Sequence, residues 1–310
     1  MFSAIEALRF MGAIMVVLFH LNAYPSGYKG VDLFFVISGF VLYYRYLRSG
    51  SRQEPRSYYF VHRISKIYLL YWTALLLALL LAPPIVWSGF WKTFLLFPGH
   101  HETLSVSWSL SYELYFYALF SVFLFLRAPV HRHALLFSLL TLTSVITAAA
   151  LLGSAIGGTA FRGSALNFML GHNTWEFVLG LLAGYLFEKR TLPTIKWMIL
   201  LLAAILGLFC YLNLSFTDPR NPVVYGILSF GLVFLSAGLN RRFPFSFRIL
   251  TLLGLSTYAI YLFHLILIPP LQKIHLASPA LFIPLITLIG VLIYKFYEAP
   301  LLKAIRKSLS

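Results

Sequence analysis

The sequence predicts an all-α, polytopic integral membrane protein with about ten transmembrane helices in one bundle. Of its 310 residues, 60% are apolar and only 11% are charged, and the mean hydropathy is +0.84. One soluble core could not hide that much apolar surface. The apolar stretches are about 18 to 22 residues long, which suits helices that cross a hydrocarbon core of about 30 Å and does not suit a β-barrel.

Short polar breaks separate the predicted spans, and none is long enough to form a soluble domain. We therefore expect a single transmembrane domain over residues 1–310. The ten spans are predicted at 5–24, 30–47, 65–83, 107–126, 134–153, 172–187, 196–214, 222–239, 252–270 and 279–297.

Basic residues alternate between rich and poor breaks, and this alternation predicts the orientation of the helices. The rich breaks carry Arg45, Arg48, Arg52, Arg56, Arg63, Lys66, Arg127, Arg132, Lys189, Arg190, Lys196, Arg241, Arg242, Arg248, Lys303, Arg306 and Lys307. Each alternate break carries one basic residue: Lys29, Lys92, Arg162, Arg220 or Lys273. The positive-inside rule then places both termini in the cytoplasm. The net charge of +15 therefore reflects membrane topology, and we predict no nucleic-acid partner.

Two ionisable residues, Arg9 and His20, lie within the first span. At about 100° per residue, eleven positions bring them within about 20° of each other on one helical face, about 16 Å apart along the axis. An ionised group near mid-bilayer costs about 2.5 to 3.5 kcal/mol on insertion scales, so such residues are expected to be functional or paired. The spacing lets Arg9 and His20 hold the two ends of one long ligand.

Helix direction predicts a layer of ionisable residues near the outer face and a basic group at the inner face. The outer layer would contain His20, Asp32, Glu113, Glu176 and His264, and the inner group Arg9, Arg63 and Lys66. Structural alternatives remain for most of them. Asp32 and Glu176 could cap helices, Arg63 and Lys66 could serve topology alone, and His264 could be a neutral side chain bonded to a carbonyl.

Other polar features have simpler interpretations. Cys210 lies within the seventh span and is interpreted as packing. The pair His100 and His101 is interpreted as part of a polar loop, and no Cys or His pair has zinc-ligand spacing, so we predict no metal. The first segment lacks a basic start and an A-x-A site, so we expect it to be a retained helix and not a signal peptide.

Several motifs occur in a characteristic order. Arg9-x10-His20 is followed by Gly30-Val31-Asp32-Leu33-Phe34-Phe35, Arg63-Ile64-x-Lys66-Ile67-Tyr68, Trp108-Ser109-Leu110-Ser111-Tyr112-Glu113, Glu176-Phe177, Gly254-x-x-Thr257-Tyr258, Tyr261-Leu262-x-His264 and Glu298-Ala299-Pro300. Over nearly the whole chain this series resembles the membrane-bound acyltransferase-3 superfamily, and most closely its stand-alone exopolysaccharide O-acetyltransferases. Lys66 departs from the usual Arg, Leu69 from a frequent Pro, and Thr257 from the commoner Ser.

The resemblance implies a ten-helix enzyme of the inner (plasma) membrane that moves an acetyl group from cytoplasmic acetyl-CoA to a hydroxyl of a surface or exopolysaccharide glycan or its lipid-linked precursor. It implies acetyl-CoA as co-substrate without a tightly bound cofactor, contact with membrane lipid, and association with polysaccharide synthesis or export machinery. The expected catalytic residues are His20, Glu113 and Arg9, and the expected CoA-binding residues are Arg9, Arg63 and Lys66. The expected supporting or acceptor-side residues are Asp32, Trp108, Ser109, Ser111, Tyr112, Glu176, Tyr258, Tyr261 and His264.

The chemistry of each group suggests a division of labour. The phosphates of CoA would stay with the cytoplasmic cations while the uncharged pantetheine arm reaches toward His20. Histidine, with an unperturbed pKa of about 6.5, suits general-base removal of a sugar hydroxyl proton. Glu113 could orient the imidazole, and the Tyr, Trp and Ser side chains at 108–112 are candidates for the oxyanion donor, among which the sequence does not choose. Direct transfer and an acetyl-His20 intermediate both remain open.

Two other classes of function fit a membrane bundle. The alternative is a transporter or flippase for a sugar-linked lipid or anion, in which the buried charges form a proton relay. A structural component of an export machine would explain the bundle but not the layered charges.

Overall fold

Helices dominate the computed structural model, which describes residues 2–48, 56–81, 90–98, 103–126, 128–155, 165–189, 192–214, 222–242 and 247–309. No strand occurs within these ranges, which confirms the predicted all-α class. The α-helices are α1 (Ser3–His20), α2 (Gly30–Leu42), α3 (Arg56–Leu81), α4 (Phe90–Phe94), α5 (Trp108–Phe125), α6 (Pro129–Ala155), α7 (Ala165–Leu170), α8 (His172–Glu188), α9 (Ile195–Leu214), α10 (Pro222–Arg242), α11 (Arg248–Lys273), α12 (Pro279–Ile293) and α13 (Ala299–Leu309).

Eight helical segments of the described chain are long and apolar enough to cross a membrane, so the protein is a multi-pass membrane protein. They are Ser3–His20, Gly27–Leu47, Tyr58–Leu81, Ser105–Phe125, Pro129–Leu152, Val223–Arg242, Arg248–Lys273 and Pro279–Ser308. The sixth and seventh predicted spans coincide with α8, which has 17 residues, and with α9, whose apolar part is Ile195–Phe209. The count of ten and the cytoplasmic termini stay predictions.

The third helix begins well before its predicted span, at Arg56 instead of residue 65. Hydropathy marks only the apolar part of a helix, whereas the polar first turns of α3 are stabilised by packing. Tyr59 is almost fully buried there, and its hydroxyl donates to the Tyr117 carbonyl over 3.1 Å. Arg63 and Lys66 therefore lie within α3, about two turns or more after its first residue, and not at the start of the helix as the predicted span implied.

The centre of the bundle is formed by two close helix pairs, α2 with α8 and α1 with α11. The first pair depends on glycine. A Cβ on Gly39 would lie 2.1 Å from the Phe177 carbonyl oxygen, and one on Gly180 would lie 2.1 Å from the Val36 oxygen. Backbones can approach this closely only where both side chains are absent, as in small-residue packing between membrane helices.

The start of α1 is fixed by the neighbouring helices. The Ala4 amide donates to Asn240 Oδ1 over 3.1 Å, and the Ser3 and Thr251 hydroxyls lie 3.3 Å apart. Two short π-helical turns, Tyr43–Leu47 and Tyr294–Glu298, continue α2 and α12. Such turns are rare and frequently occur at functional sites.

Candidate active site

A cavity of about 100 Å³ lies between α1, α2, α3, α5 and α11. This volume has room for several water molecules. Of the predicted site residues, those on its wall are Arg9, Arg63, Lys66, Ser109, Glu113, Tyr258 and Tyr261. The three cations predicted for the inner group, Arg9 from α1 and Arg63 and Lys66 from α3, thus all line this cavity.

Arg9 is held on the cavity wall by a carboxylate on its own helix. Its Nη1 donates to Glu6 Oε2 over 3.3 Å, and only 9% of the Glu6 side chain is exposed. A Cβ on Gly254 would lie 2.3 Å from the Glu6 Cβ, so the glycine makes room for this carboxylate. Glu6 was missed by the sequence reasoning, although its three-residue spacing from Arg9 is a recognisable helical ion-pair signal.

Arg63 is buried and surrounded by aromatic rings. Its guanidinium carbon lies 5.3 Å from the centroid of Tyr117 and 5.7 Å from that of Tyr46, within cation–π range. Its Nε has no hydrogen-bond partner among the described residues. A buried guanidinium with unused donor capacity, facing a cavity, is suited to bind an anion.

Glu113 lies on the same cavity wall, and the Tyr117 hydroxyl donates a short hydrogen bond to its Oε1. The tyrosine follows one helical turn later on the same face of α5, which explains the contact. This environment differs from the predicted one, in which Glu113 orients His20. In the described residues the hydrogen bonds of His20 go elsewhere, and the catalytic role of Glu113 stays a prediction.

Two hydroxyls, those of Ser109 and Tyr261, lie on the cavity wall at the end next to His264. Ser109 Oγ and Tyr261 Oη lie 2.8 Å apart, and the two atoms lie 3.0 and 3.1 Å from the Val106 carbonyl oxygen, which accepts from both. Behind them, the ring centroid of Tyr261 is 6.0 Å from that of His264. Tyr261 thus separates the cavity from a pair of histidines.

His20 and His264 form that pair, with His20 Nδ1 3.1 Å from His264 Nε2. His264 is fully buried and His20 is half-buried. Each Nδ1 also faces a carbonyl one turn earlier, that of Val16 at 2.9 Å for His20 and that of Ile260 at 3.3 Å for His264. His20 itself does not line the cavity and meets it through His264 and Tyr261.

The carbonyls determine the tautomers of this pair. A carbonyl only accepts, so both Nδ1 atoms carry protons. His264 Nε2 is then an acceptor for His20 Nδ1–H, which is shared with the Val16 oxygen. The lone pair of His20 is left on Nε2, where a general base needs it.

The other two acidic residues predicted for the outer layer, Asp32 and Glu176, have different environments. Asp32 lies in the first turn of α2, where a carboxylate favours a helix N-terminus. Glu176 is fully buried, and neither carboxylate oxygen has a hydrogen-bond partner among the described residues, so it does not cap α8. The two side chains are close enough to interact electrostatically.

The remaining predicted residues contribute to packing around the site. Ser111 Oγ donates to the Leu96 carbonyl over 2.6 Å. The ring of Tyr112 lies 4.3 Å from that of Phe168, and Trp108 is partly exposed beside Phe35. Tyr258 joins two helices of the cavity, since its hydroxyl donates to the Ile67 carbonyl over 2.7 Å.

Glu298 is a further residue that the sequence reasoning did not assign to the site. It lies in the second π-helical turn, is 1% exposed, and interacts electrostatically with Lys66 and Arg9. Its occurrence in the Glu298-Ala299-Pro300 motif was the available signal. The pair His100 and His101 and the side chain of Cys210 lie outside the described residues. Within them, no group of three or more His, Cys, Asp or Glu could hold a metal ion.

Comparison with known proteins decides the family. A family model described as an acyltransferase domain, the acyltransferase-3 model, matches residues 2–294. The chain belongs to the acyltransferase-3 family. This acyltransferase is 28% identical over 308 residues to the exopolysaccharide production protein ExoZ of Rhizobium meliloti (strain 1021), covering 90% of this chain and 91% of that protein.

A second relative of the acyltransferase is BcsY of Komagataeibacter xylinus, which carries the provisional name of membrane-bound transacylase. The two chains are 25% identical over 291 residues, covering 84% of this chain and 71% of BcsY. No solved structure matches this chain at a significant level. The predicted family, enzyme class and membrane context are thereby confirmed.

Proposed function

We propose that this acyltransferase takes an acetyl group from cytoplasmic acetyl-CoA and transfers it to a hydroxyl of an exopolysaccharide or its lipid-linked precursor, in the inner (plasma) membrane. The observation that carries the proposal is the convergence of Arg9, Arg63 and Lys66 on one cavity whose opposite end adjoins the histidine pair. The ExoZ relative, named for exopolysaccharide production, supports a glycan acceptor.

The donor would bind with its phosphates at the cationic end. Arg9 and Arg63 present guanidinium groups, which bind phosphate through two parallel hydrogen bonds, and Lys66 adds a point charge. Apolar side chains, among them Val31, Phe34 and Leu110, also line the cavity, as an uncharged pantetheine arm requires. The Tyr261 ring stands between the cavity and the histidine pair. Rotation of this ring out of the way would let the thioester reach His20.

The reaction at His20 balances as a general-base transfer. His20 Nε2 takes the proton of the sugar hydroxyl, the sugar oxygen bonds to the acetyl carbonyl carbon, and the carbon–sulfur bond breaks. The departing CoA thiolate then takes the proton from the imidazolium. His264 stabilises that imidazolium by accepting from His20 Nδ1–H, the part that a carboxylate plays in other acyl-transfer sites.

The negative charge that develops on the acetyl oxygen needs a hydrogen-bond donor. The Tyr261 and Ser109 hydroxyls lie at the end of the cavity next to the histidine pair, and either can turn from the Val106 carbonyl to the new oxyanion. Of the side chains at 108–112 considered as oxyanion donors from the sequence, this proposal keeps only Ser109. It adds Tyr261 from α11.

Glycan analysis in cells with and without each variant tests the proposal. We expect His20→Ala and Arg9→Ala to accumulate in the membrane at wild-type levels, with the surface glycan losing the mass of its acetyl groups. His131→Ala, which removes an exposed histidine from α6, is the matched control and should leave acetylation intact. Full acetylation in either site variant would contradict the proposal. Proton-dependent substrate flux without acetyl-CoA would instead favour a transporter.

A further inference from the structure

The last helix, α13, packs against α3 beside the cationic end of the cavity. Its apolar side chains Leu302 and Ile305 are half-buried, whereas Lys303 and Arg306 are exposed. From the sequence, these basic residues are expected to serve only the membrane topology. One of them has a specific contact: Arg306 Nη2 lies 2.9 Å from His62 Nε2.

The contact holds Arg306 in a defined position. A guanidinium only donates, so His62 accepts through an unprotonated Nε2. His62 itself is fixed, since it is only 4% exposed and its ring stacks on Tyr58 with centroids 5.5 Å apart and planes 15° apart. The next residue, Arg63, lines the cavity. A neutral, buried histidine thus places an exposed guanidinium next to the donor site.

The surroundings of His62 are strongly cationic. Arg63, Arg306, Arg45 and Lys66 all lie within electrostatic range of its ring. Arg306 forms no ion pair with a carboxylate in the part of the chain that the structure describes. Its remaining N–H groups are therefore available to an anion, and a planar guanidinium is well matched to phosphate.

We infer that Arg306, positioned by His62, binds the terminal phosphate of the donor. The inference rests on the proposed function, because the donor chemistry defines the ligand. In CoA the 3′-phosphate of the ribose lies at the far end from the thioester, beyond the pyrophosphate. Arg9, Arg63 and Lys66 occupy the cavity itself, and Arg306 lies outside it at the exposed surface. Arg306, the outermost of these four cations, is therefore placed to bind the 3′-phosphate, the phosphate farthest from the thioester.

The test is binding of CoA and of 3′-dephospho-CoA to full-length protein in phosphatidylcholine nanodiscs. Wild type should prefer CoA. Arg306→Gln should bind CoA about tenfold more weakly, the value of one charge-assisted hydrogen bond, and should lose the preference over dephospho-CoA. Lys303→Gln removes the same charge from the same helix without the His62 contact and should bind as wild type.

A double-mutant cycle separates positioning from general charge. His62→Phe keeps the stacking surface but removes the acceptor, so it should weaken CoA binding in the wild-type background and add little in the Arg306→Gln background. Equal losses in Arg306→Gln and Lys303→Gln would overturn the inference in favour of diffuse surface charge. Wild-type affinity in Arg306→Gln would also overturn it, while leaving the proposed donor intact.

Lipid is the other source of phosphate at this surface, because amphipathic basic helices bind anionic headgroups. Repeating the measurement with phosphatidylglycerol in the discs distinguishes the two sources. If Arg306→Gln changes association with phosphatidylglycerol but not with CoA, the residue binds lipid and the inference is wrong. Failure of the wild type to bind CoA in either disc would overturn the proposed donor itself.

Discussion

Removing the acceptor that faces His20 should slow acyl transfer without impairing donor binding. In His264→Leu the fully buried site keeps a similar volume, but His20 Nδ1–H loses the Nε2 atom now 3.1 Å away. A hydrogen bond to a charged group contributes about 1.5 to 3 kcal/mol. Because the Val16 carbonyl oxygen, 2.9 Å from the same nitrogen, still accepts in the variant, only part of this is lost, and kcat should fall about three- to tenfold.

The assay is acetyl transfer by purified protein in nanodiscs, with CoA binding measured on the same preparation. His264→Gln is the matched control, because its amide oxygen can accept from His20 and should restore part of the rate. CoA affinity should be unchanged in both variants, since the cationic end of the cavity is remote. Wild-type kcat in His264→Leu, or equal loss in the two variants with normal folding, would refute the reasoning.

Further predictions concern helix packing, donor binding and the oxyanion. Gly39→Ala should lower the melting temperature, since its Cβ would meet a backbone oxygen of α8 at 2.1 Å. The free energy of unfolding should fall by about 1–3 kcal/mol. In the control Gly207→Ala the new Cβ meets no atom within 4 Å, so the variant should be neutral or stabilising. Glu6→Gln should raise KM for acetyl-CoA several-fold with little change in kcat, because Arg9 loses its ion pair. Tyr261→Phe should lower kcat about tenfold or more with KM nearly unchanged, and a KM effect alone would assign it to binding.

The fold class could be predicted from composition, because a chain with this much apolar surface can hide it only by placing helices in a lipid bilayer. Whether the position of an individual residue could be predicted depended on how far apart in the sequence its contact partners are. The common face of Arg9 and His20 is a property of one helix, and helical period suffices to predict it. The His20–His264 contact joins α1 to α11 across 244 residues, so a sequence can place both in one layer without showing that they touch.

Two residues show which contacts hydropathy and charge counts leave undetermined. Glu113 was expected beside His20, but its side chain lies on the cavity wall with Arg63 and bonds Tyr117, since depth along a helix does not specify which neighbour it faces. Arg306 was counted as a topology signal, and only the fold reveals its contact with His62.

The central claim is that acetyl passes from a cytoplasmic donor to the acceptor hydroxyl with His20 as the general base. The most direct measurement reconstitutes the enzyme in proteoliposomes, supplies radiolabelled acetyl-CoA on one side and glycan acceptor on the other, and follows the label. Label should reach the glycan with the wild type and not with His20→Ala, although both bind CoA. Transfer of label by His20→Ala at the wild-type rate would contradict it.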